Sequence, residues 1–204
     1  LLRAELPVTT TGYTIHRQCG SGLQAINNAD MQIKLGLSDV VVAGGAESMS
    51  TAPYYIRNAR YGYKAGNGLL LDPNTESQPR SQPIEKYGNL TMGLTAENLA
   101  EQYQISREEQ DEFAYRSQER ADKAIKEGRF KDEIVTYTVV GRKETIEFNV
   151  DEHPRFSSLE TLAKLRPVFK ENGTVTAGNA SGRNDGAAAV LMMNKEKMEY
   201  YGLK

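Results

Sequence analysis

The chain has 204 residues, 39% hydrophobic and 25% charged, with 25 Lys and Arg against 27 Asp and Glu for a formal net charge of -2. That is an ordinary composition for a globular chain with a core of its own, and its balance calls for neither nucleic acid nor an anionic membrane as partner. No apolar run approaches the roughly 20 residues needed to cross a bilayer, and no basic segment followed by an apolar one opens the chain, which starts at Leu1.

In chain order, residues 13–18 read as a strand that breaks sharply at Cys19-Gly20-Ser21-Gly22. A helix follows, with Leu23, Ile26, Ala29 and Ile33 on one face and Gly36 at its stop. Residues 39–45 form a short β-branched run bounded by glycines, expected to be a strand buried on both faces. Strand, helix, strand over this length predicts a βαβ unit with a parallel sheet. Residues 50–88 are rich in Tyr, Gly, Asn, Pro and Gln and predict loops and short elements.

A short helix is expected over residues 95–103. Ser106 and Glu109 form a capping-box pattern that opens a longer helix, with Phe113, Ser117, Ala121 and Ala124 at helical spacing and Gly128 at its end. Residues 134–140 and 145–150 read as two strands around a turn at Gly141-Arg142-Lys143-Glu144. Residues 187–193 read as another buried strand.

Cys19 is the single cysteine, so no internal disulfide forms, which fits a reducing compartment. With His16 and His153 as the two histidines, neither a multi-thiolate zinc site nor a His-rich metal site is expected. A Cys between a strand and the first turn of a helix meets free N–H groups and the positive end of the helix dipole, which favour thiolate. Gly20 and Gly22 keep the approach open, and the Cys19 N–H is free to donate to a developing oxyanion. On spacing alone, Cys19 reads equally as a nucleophile or as a small buried hydrophobe.

The surrounding residues shift that balance. The segment His16-Arg17-Gln18-Cys19-Gly20-Ser21-Gly22-Leu23-Gln24-Ala25-Ile26 resembles the active-site segment of thiolases. Val41-Val42-Ala43-Gly44-Gly45-Ala46-Glu47-Ser48-Met49-Ser50 resembles the strand and turn that follow it in that family. Met92-Gly93-Leu94-Thr95-Ala96-Glu97-Asn98 resembles the start of the family's substrate-covering domain. Gly178-Asn179-Ala180-Ser181-Gly182 with Asn184-Asp185-Gly186-Ala187-Ala188 resembles its second signature. The four motifs occur in order over essentially the whole chain, and acetyl-CoA acetyltransferases are the most similar kind.

The resemblance implies an acyl transfer through an acyl-cysteine at Cys19. In one direction two acetyl-CoA give acetoacetyl-CoA; in the other, CoA cleaves a 3-ketoacyl-CoA, as in fatty acid metabolism. It implies no cofactor, since coenzyme A thioesters are the substrates. It places Ser181, Ala177, Val168 and Phe169 along the pantetheine arm, and Met92 where acyl length is limited. Arg155 and Thr161 fall near the nucleotide end. Read without the motifs, Phe169 and Met92 are equally core residues and Arg155 a solvated charge.

The implied architecture is α/β. Residues 1–49 and 182–204 make part of an N-terminal thiolase core, and residues 50–181 an inserted α+β loop domain covering CoA. The C-terminal thiolase domain is expected to be absent, because the family's Gly-His-Pro histidine, its second cysteine and its oxyanion Asn have no counterpart here. His153-Pro154 lies in a different context, Asp-Glu-His-Pro-Arg. The alternative is therefore an inert CoA-binding or scaffold segment. A decarboxylating condensing enzyme on the same fold would need two histidines that are not found. His16 stands where much of the family has Asn, and Thr91 where acetoacetyl-specific members commonly have His, which leaves other acyl lengths open. The family implies a cytoplasmic homodimer or homotetramer at full length, with acyl-CoA and CoA as partners and neither nucleic acid nor membrane.

Overall fold

A computed structural model describes residues 1–204. Its elements run α1 (Ser21–Lys34), β1 (Val40–Ser48), α2 (Pro73–Arg80), α3 (Ile84–Tyr87), α4 (Met92–Tyr103), α5 (Arg107–Lys126), β2 (Tyr137–Val140), β3 (Thr145–Phe148), α6 (Leu159–Ala163), β4 (Asp185–Met193) and α7 (Lys195–Tyr200). They fall into two compact units, residues 1–50 with 184–204, and residues 51–183. No helix is long and apolar enough to cross a membrane.

In the first unit, α1 packs on β1, and β1 pairs antiparallel with β4 from Val40↔Met193 to Ser48↔Asp185. The α1 helix stops as expected. Gly36 adopts φ 69°, its N–H donates to the Ile33 carbonyl at 3.0 Å, and the Leu37 N–H reaches the Gln32 carbonyl at 2.9 Å. Those two bonds satisfy carbonyls that the helix itself leaves open, and glycine takes the left-handed position without a Cβ penalty.

Two expectations fail here. Residues 13–18 are not a strand and carry only an isolated bridge between Arg17 and Cys19, so no parallel βαβ pairing forms. A strand exists through a hydrogen-bonded neighbour, and the partner of β1 is β4. The segment is instead tied to α1 through Tyr13, whose phenol oxygen accepts from the Gln32 amide at 2.7 Å and the Asn28 amide at 3.3 Å. Nor are β1 and β4 buried on both faces. Ala43 is the one buried residue of β1, while Val42 is 61% and Leu191 59% exposed. A two-stranded sheet with one helix on it leaves a face open.

The second unit has a small apolar core of Ala100, Leu162 and Val175, together with fully buried Thr176. Polar side chains tie it together. Ser106 and Glu109 form the expected capping box at the start of α5. Gly128 ends the helix at φ 69°, with the Arg129 N–H returning to the Ala124 carbonyl at 3.0 Å. The hairpin β2–β3 is antiparallel and closes with Gly141 N–H on the Glu144 carbonyl at 2.9 Å.

The packed face of α5 differs from the expected stripe. Phe113 and Ser117 are exposed, whereas Ala121 and Ala124 are half-buried as expected and Arg107, Asp111, Ala114, Gln118 and Ile125 also face inward. The cause is a polar pair. Arg107 binds Asp111 at 2.8 Å and also donates to the carbonyls of Leu162, at the end of α6, and Leu165, just beyond it, at 2.6 and 3.2 Å. Two satisfied charges thus take helix positions that an apolar pattern assigns to hydrophobes.

Candidate functional site

Cys19 lies two residues before α1 and is exposed, so the buried-hydrophobe reading does not hold. A tight elbow presents it. Gln18 takes φ 49°, a left-handed value that costs a non-glycine residue on the order of 1 kcal/mol. The turn is clamped by Gly20 N–H on the Arg17 carbonyl at 3.0 Å and by Ser21. The Ser21 hydroxyl accepts from the Arg17 N–H at 2.8 Å and donates to the Gln18 carbonyl at 2.7 Å. The Arg17 guanidinium also donates to the Gln24 side chain. The Cys19 N–H has no backbone acceptor, and open space surrounds the Cβ position of Gly22. The elbow therefore offers an exposed thiol, an unused donor beside it, and room for a reactant.

At the far end of β1, two of the motifs meet. The Asp185 carboxylate opens β4 and accepts the Ser50 N–H at 2.9 Å, the Ser50 hydroxyl, and the Ser48 hydroxyl at 3.1 Å. The Ser50 hydroxyl and N–H lead in holding this carboxyl below its usual range, against a small opposing effect of burial.

The other seven residues lie in the second unit. Val168 and Phe169 stand on one arm of a turn that is closed by Val168 N–H on the Val175 carbonyl at 3.0 Å. Asn172 sits at its tip with φ 57°. The return arm leads to Ala177 and Ser181. Glu97 of α4 grips that arm, accepting Thr174 N–H at 2.9 Å and Val175 N–H at 2.8 Å. Asn179 grips it again. Its oxygen accepts the Thr176 N–H at 2.7 Å, and its amide donates to Asp111 at 2.9 Å and to the Thr174 carbonyl at 3.0 Å.

The structure places the Phe169 ring directly over Gly93, the residue that follows Met92. Arg155 and Thr161 are not joined to that cluster by any hydrogen bond or ion pair. The Arg155 N–H donates to Gln118 at 2.9 Å, and Thr161 is in α6, capped by Ser158 at 3.3 Å. Ala177 and Ser181 are exposed.

Three positioning residues escaped the sequence reading: Glu97, Asn179 and Gln78. Glu97 carried a usable signal, since it follows Gly93 and precedes Ala100 on one face of α4, a lone acid in a stripe of small residues. Asn179 lies inside a recognised motif without any sign of its role. Gln78 gave no signal.

Gly93→Ala would drive a methyl group into three Phe169 ring atoms, well inside van der Waals contact. The half-exposed ring must swing away, at an expected cost of about 1–3 kcal/mol in thermal unfolding. Adding Phe169→Ala should return part of that loss; strictly additive effects would show that the ring does not rest there in solution.

The family model for the thiolase N-terminal domain matches residues 1–196. An acetyl-CoA acetyltransferase of Syntrophomonas wolfei is 47% identical over 213 residues, covering 100% of this chain and 51% of that protein. The crystal structure of the Bacillus anthracis acetyl-CoA acetyltransferase superposes with a TM-score of 0.92 at 50% identity, over 100% of this chain and 50% of that one. Human mitochondrial 3-ketoacyl-CoA thiolase in complex with CoA gives a TM-score of 0.87 at 43% identity, with the same coverage. The chain spans about half the length of the curated relatives it matches. It has the α/β thiolase fold and belongs to the thiolase family, matching its N-terminal domain.

Proposed function

We propose that this chain provides the acyl-accepting part of a thiolase-type acyltransferase, with Cys19 as the acyl carrier. The observation that carries this reading is the clamped elbow, which holds an exposed thiol beside an unused backbone N–H. In thiolysis, the Cys19 thiolate attacks the 3-keto carbonyl of a 3-ketoacyl-CoA. The C2–C3 bond breaks, its electron pair leaves on acetyl-CoA as an enolate, and a proton completes that product. Free CoA thiolate then takes the acyl group from Cys19 and restores the thiolate. Run in reverse with acetyl groups, the same steps join two acetyl-CoA into acetoacetyl-CoA and CoA.

The CoA thioester would run along Ser181, Ala177, Val168 and Phe169, with Met92 facing the acyl end and Arg155 and Thr161 the nucleotide. Support comes from the doubly gripped turn that carries Val168 and Phe169 and leads to Ala177 and Ser181 and from the likeness to a thiolase solved with CoA. The reaction needs no cofactor beyond CoA thioesters. The whole protein is proposed to be a cytoplasmic homodimer or homotetramer that binds neither nucleic acid nor membrane.

Incubation with acetoacetyl-CoA, followed by peptide mass spectrometry, tests the proposal. Acetyl on the Cys19 peptide, absent from Cys19→Ala, is the expected result. Acetylation only when the chain is joined to the C-terminal half of the Bacillus anthracis relative would make this segment inert by itself. No acetylation in either would overturn Cys19 as acyl carrier.

A further inference from the structure

We infer that Gln78 is a positioning residue that fixes Met92 and so sets the acyl length accepted; this rests on the reading of Met92 given above. Met92 is the first residue of α4, and its N–H is one of the helix donors with no intrahelical acceptor. The Gln78 side-chain oxygen, 14 residues earlier on α2, accepts that N–H at 2.9 Å.

Gln78 is itself firmly placed. Its carbonyl accepts the Ser81 hydroxyl at 2.8 Å and the Ser81 N–H at 3.2 Å, and the Pro79 that follows it is buried. On the preceding turn, Glu76 holds Arg57 at 3.3 Å and Arg80 at 3.4 Å. Asp72 caps the start of the helix through the Asn74 N–H at 2.9 Å. The α2 helix is thus a braced support with a side-chain acceptor aimed at the backbone of Met92.

Two further contacts complete the seat. The Thr91 hydroxyl accepts the Leu94 N–H at 3.3 Å, so Thr91 is occupied as an N-cap. The Phe169 ring closes over Gly93. The backbone around Met92 is therefore held from α2, from Thr91 and from the 168–175 turn. The Met92 side chain itself remains 61% exposed. Of these three holds, the one from Gln78 acts on Met92 directly.

The test uses the full chain in four forms: wild type, Gln78→Leu, Gln78→Glu and Met92→Ala. Two quantities are read: hydrogen exchange at the Met92 amide, and the rates at which acetyl-CoA and hexanoyl-CoA acylate Cys19. In that acylation the thiolate attacks the thioester carbonyl, the C–S bond to CoA breaks, and the CoA thiolate takes up the proton Cys19 lost. Gln78→Leu should unprotect the Met92 amide and shift the ratio of the two rates by about three- to tenfold, the range one lost hydrogen bond spans. Gln78→Glu keeps an acceptor and should retain both. A purely structural role would lower both rates together and leave their ratio unchanged.

Unchanged Met92 protection in Gln78→Leu overturns the inference. So does an unchanged ratio in Gln78→Leu when Met92→Ala shifts it. If Met92→Ala leaves the ratio unchanged, the reading of Met92 falls and the inference with it. If no form is acylated, the function proposed for the chain by itself fails, and the specificity role of Gln78 falls with it.

Discussion

Replacing Glu97 with Ala is expected to cost residues 51–183 about 3–5 kcal/mol of stability, read from the urea midpoint. Glu97 is a buried carboxylate, 3% exposed, and it works as an acceptor for a loop rather than as half of a surface pair. It takes the Thr174 N–H at 2.9 Å, the Thr174 hydroxyl at 3.1 Å and the Val175 N–H at 2.8 Å. Alanine would leave two backbone donors facing a cavity, and a buried donor without an acceptor costs roughly 1–3 kcal/mol. Gly173 shows how closely the carboxylate is fitted, since a Cβ there would stand 2.7 Å from the Glu97 Cδ. A loss below about 1 kcal/mol would mean that the loop stays in place without this acceptor.

The same residue makes stability depend on pH in a definite direction. Burial opposes its charge, but the N–H groups of Val175 and Thr174, the Thr174 hydroxyl and nearby Lys170 outweigh it and hold the carboxyl below its usual range. A depressed folded value means that the contribution is complete above the unfolded value of about 4.3 and is lost as the pH falls through the folded one. Glu97→Gln places an amide N–H among donors at every pH. The gap between wild type and Glu97→Gln should therefore be wide at neutral pH and shrink under acid. A gap that stays constant from neutral pH to below pH 4 would show that the charge of Glu97 carries no stability.

Features set by neighbouring residues were legible in the sequence. The capping box at Ser106 and Glu109, the stops at Gly36 and Gly128, and the hairpin turn at Gly141 each depend on a few consecutive residues. What failed depends on partners far along the chain. Whether residues 13–18 form a strand is decided by what pairs with β1, and that partner starts at Asp185, 137 residues beyond Ser48. The inward face of α5 departs from the apolar stripe at Phe113 and Ser117, where Arg107 and Asp111 satisfy each other and the end of α6 instead. A pattern search that counts only apolar residues passes over such a pair.

The site divides in the same way. Cys19 could be singled out because it is the single cysteine and glycines stand at 20 and 22, whereas the left-handed Gln18 and the Ser21 clamp that shape its elbow gave no such sign. The supports of the second unit are harder to single out, since Glu97, Asn179 and Gln78 act on backbone groups 77, 3 and 14 residues away. Glu97 and Asn179 both lie inside recognised segments, but the backbone groups they hold, at Thr174, Val175 and Thr176, lie outside them, and nothing in either motif distinguishes a support from a residue that touches ligand.

Gly44→Val is expected to destabilise the first unit by about 2–4 kcal/mol, because the clash is with backbone and no side chain can yield. Gly44 faces Ala189 across the ladder. A Cβ there would run into the Ala188 carbonyl oxygen and lie 3.0 Å from the Ala189 Cα. Relief requires β1 and β4 to part, which breaks ladder bonds on both sides and disturbs the pairing of Ser48 with Asp185 four residues on. Gly45 supplies the control, since nothing lies within 4 Å of its Cβ position. Gly45→Ala should be neutral or slightly stabilising, through the lower entropy of the unfolded chain. Thermal unfolding of both variants separates a general dislike of side chains in this strand from the close approach at one residue. If Gly44→Val melts with Gly45→Ala, the two strands are not held this tightly in solution. If it melts far lower, the Gly-Gly pair following Ala43 has two distinct jobs, and the first of them is to let β4 come close enough for Asp185 to hold the turn at Ser48 and Ser50.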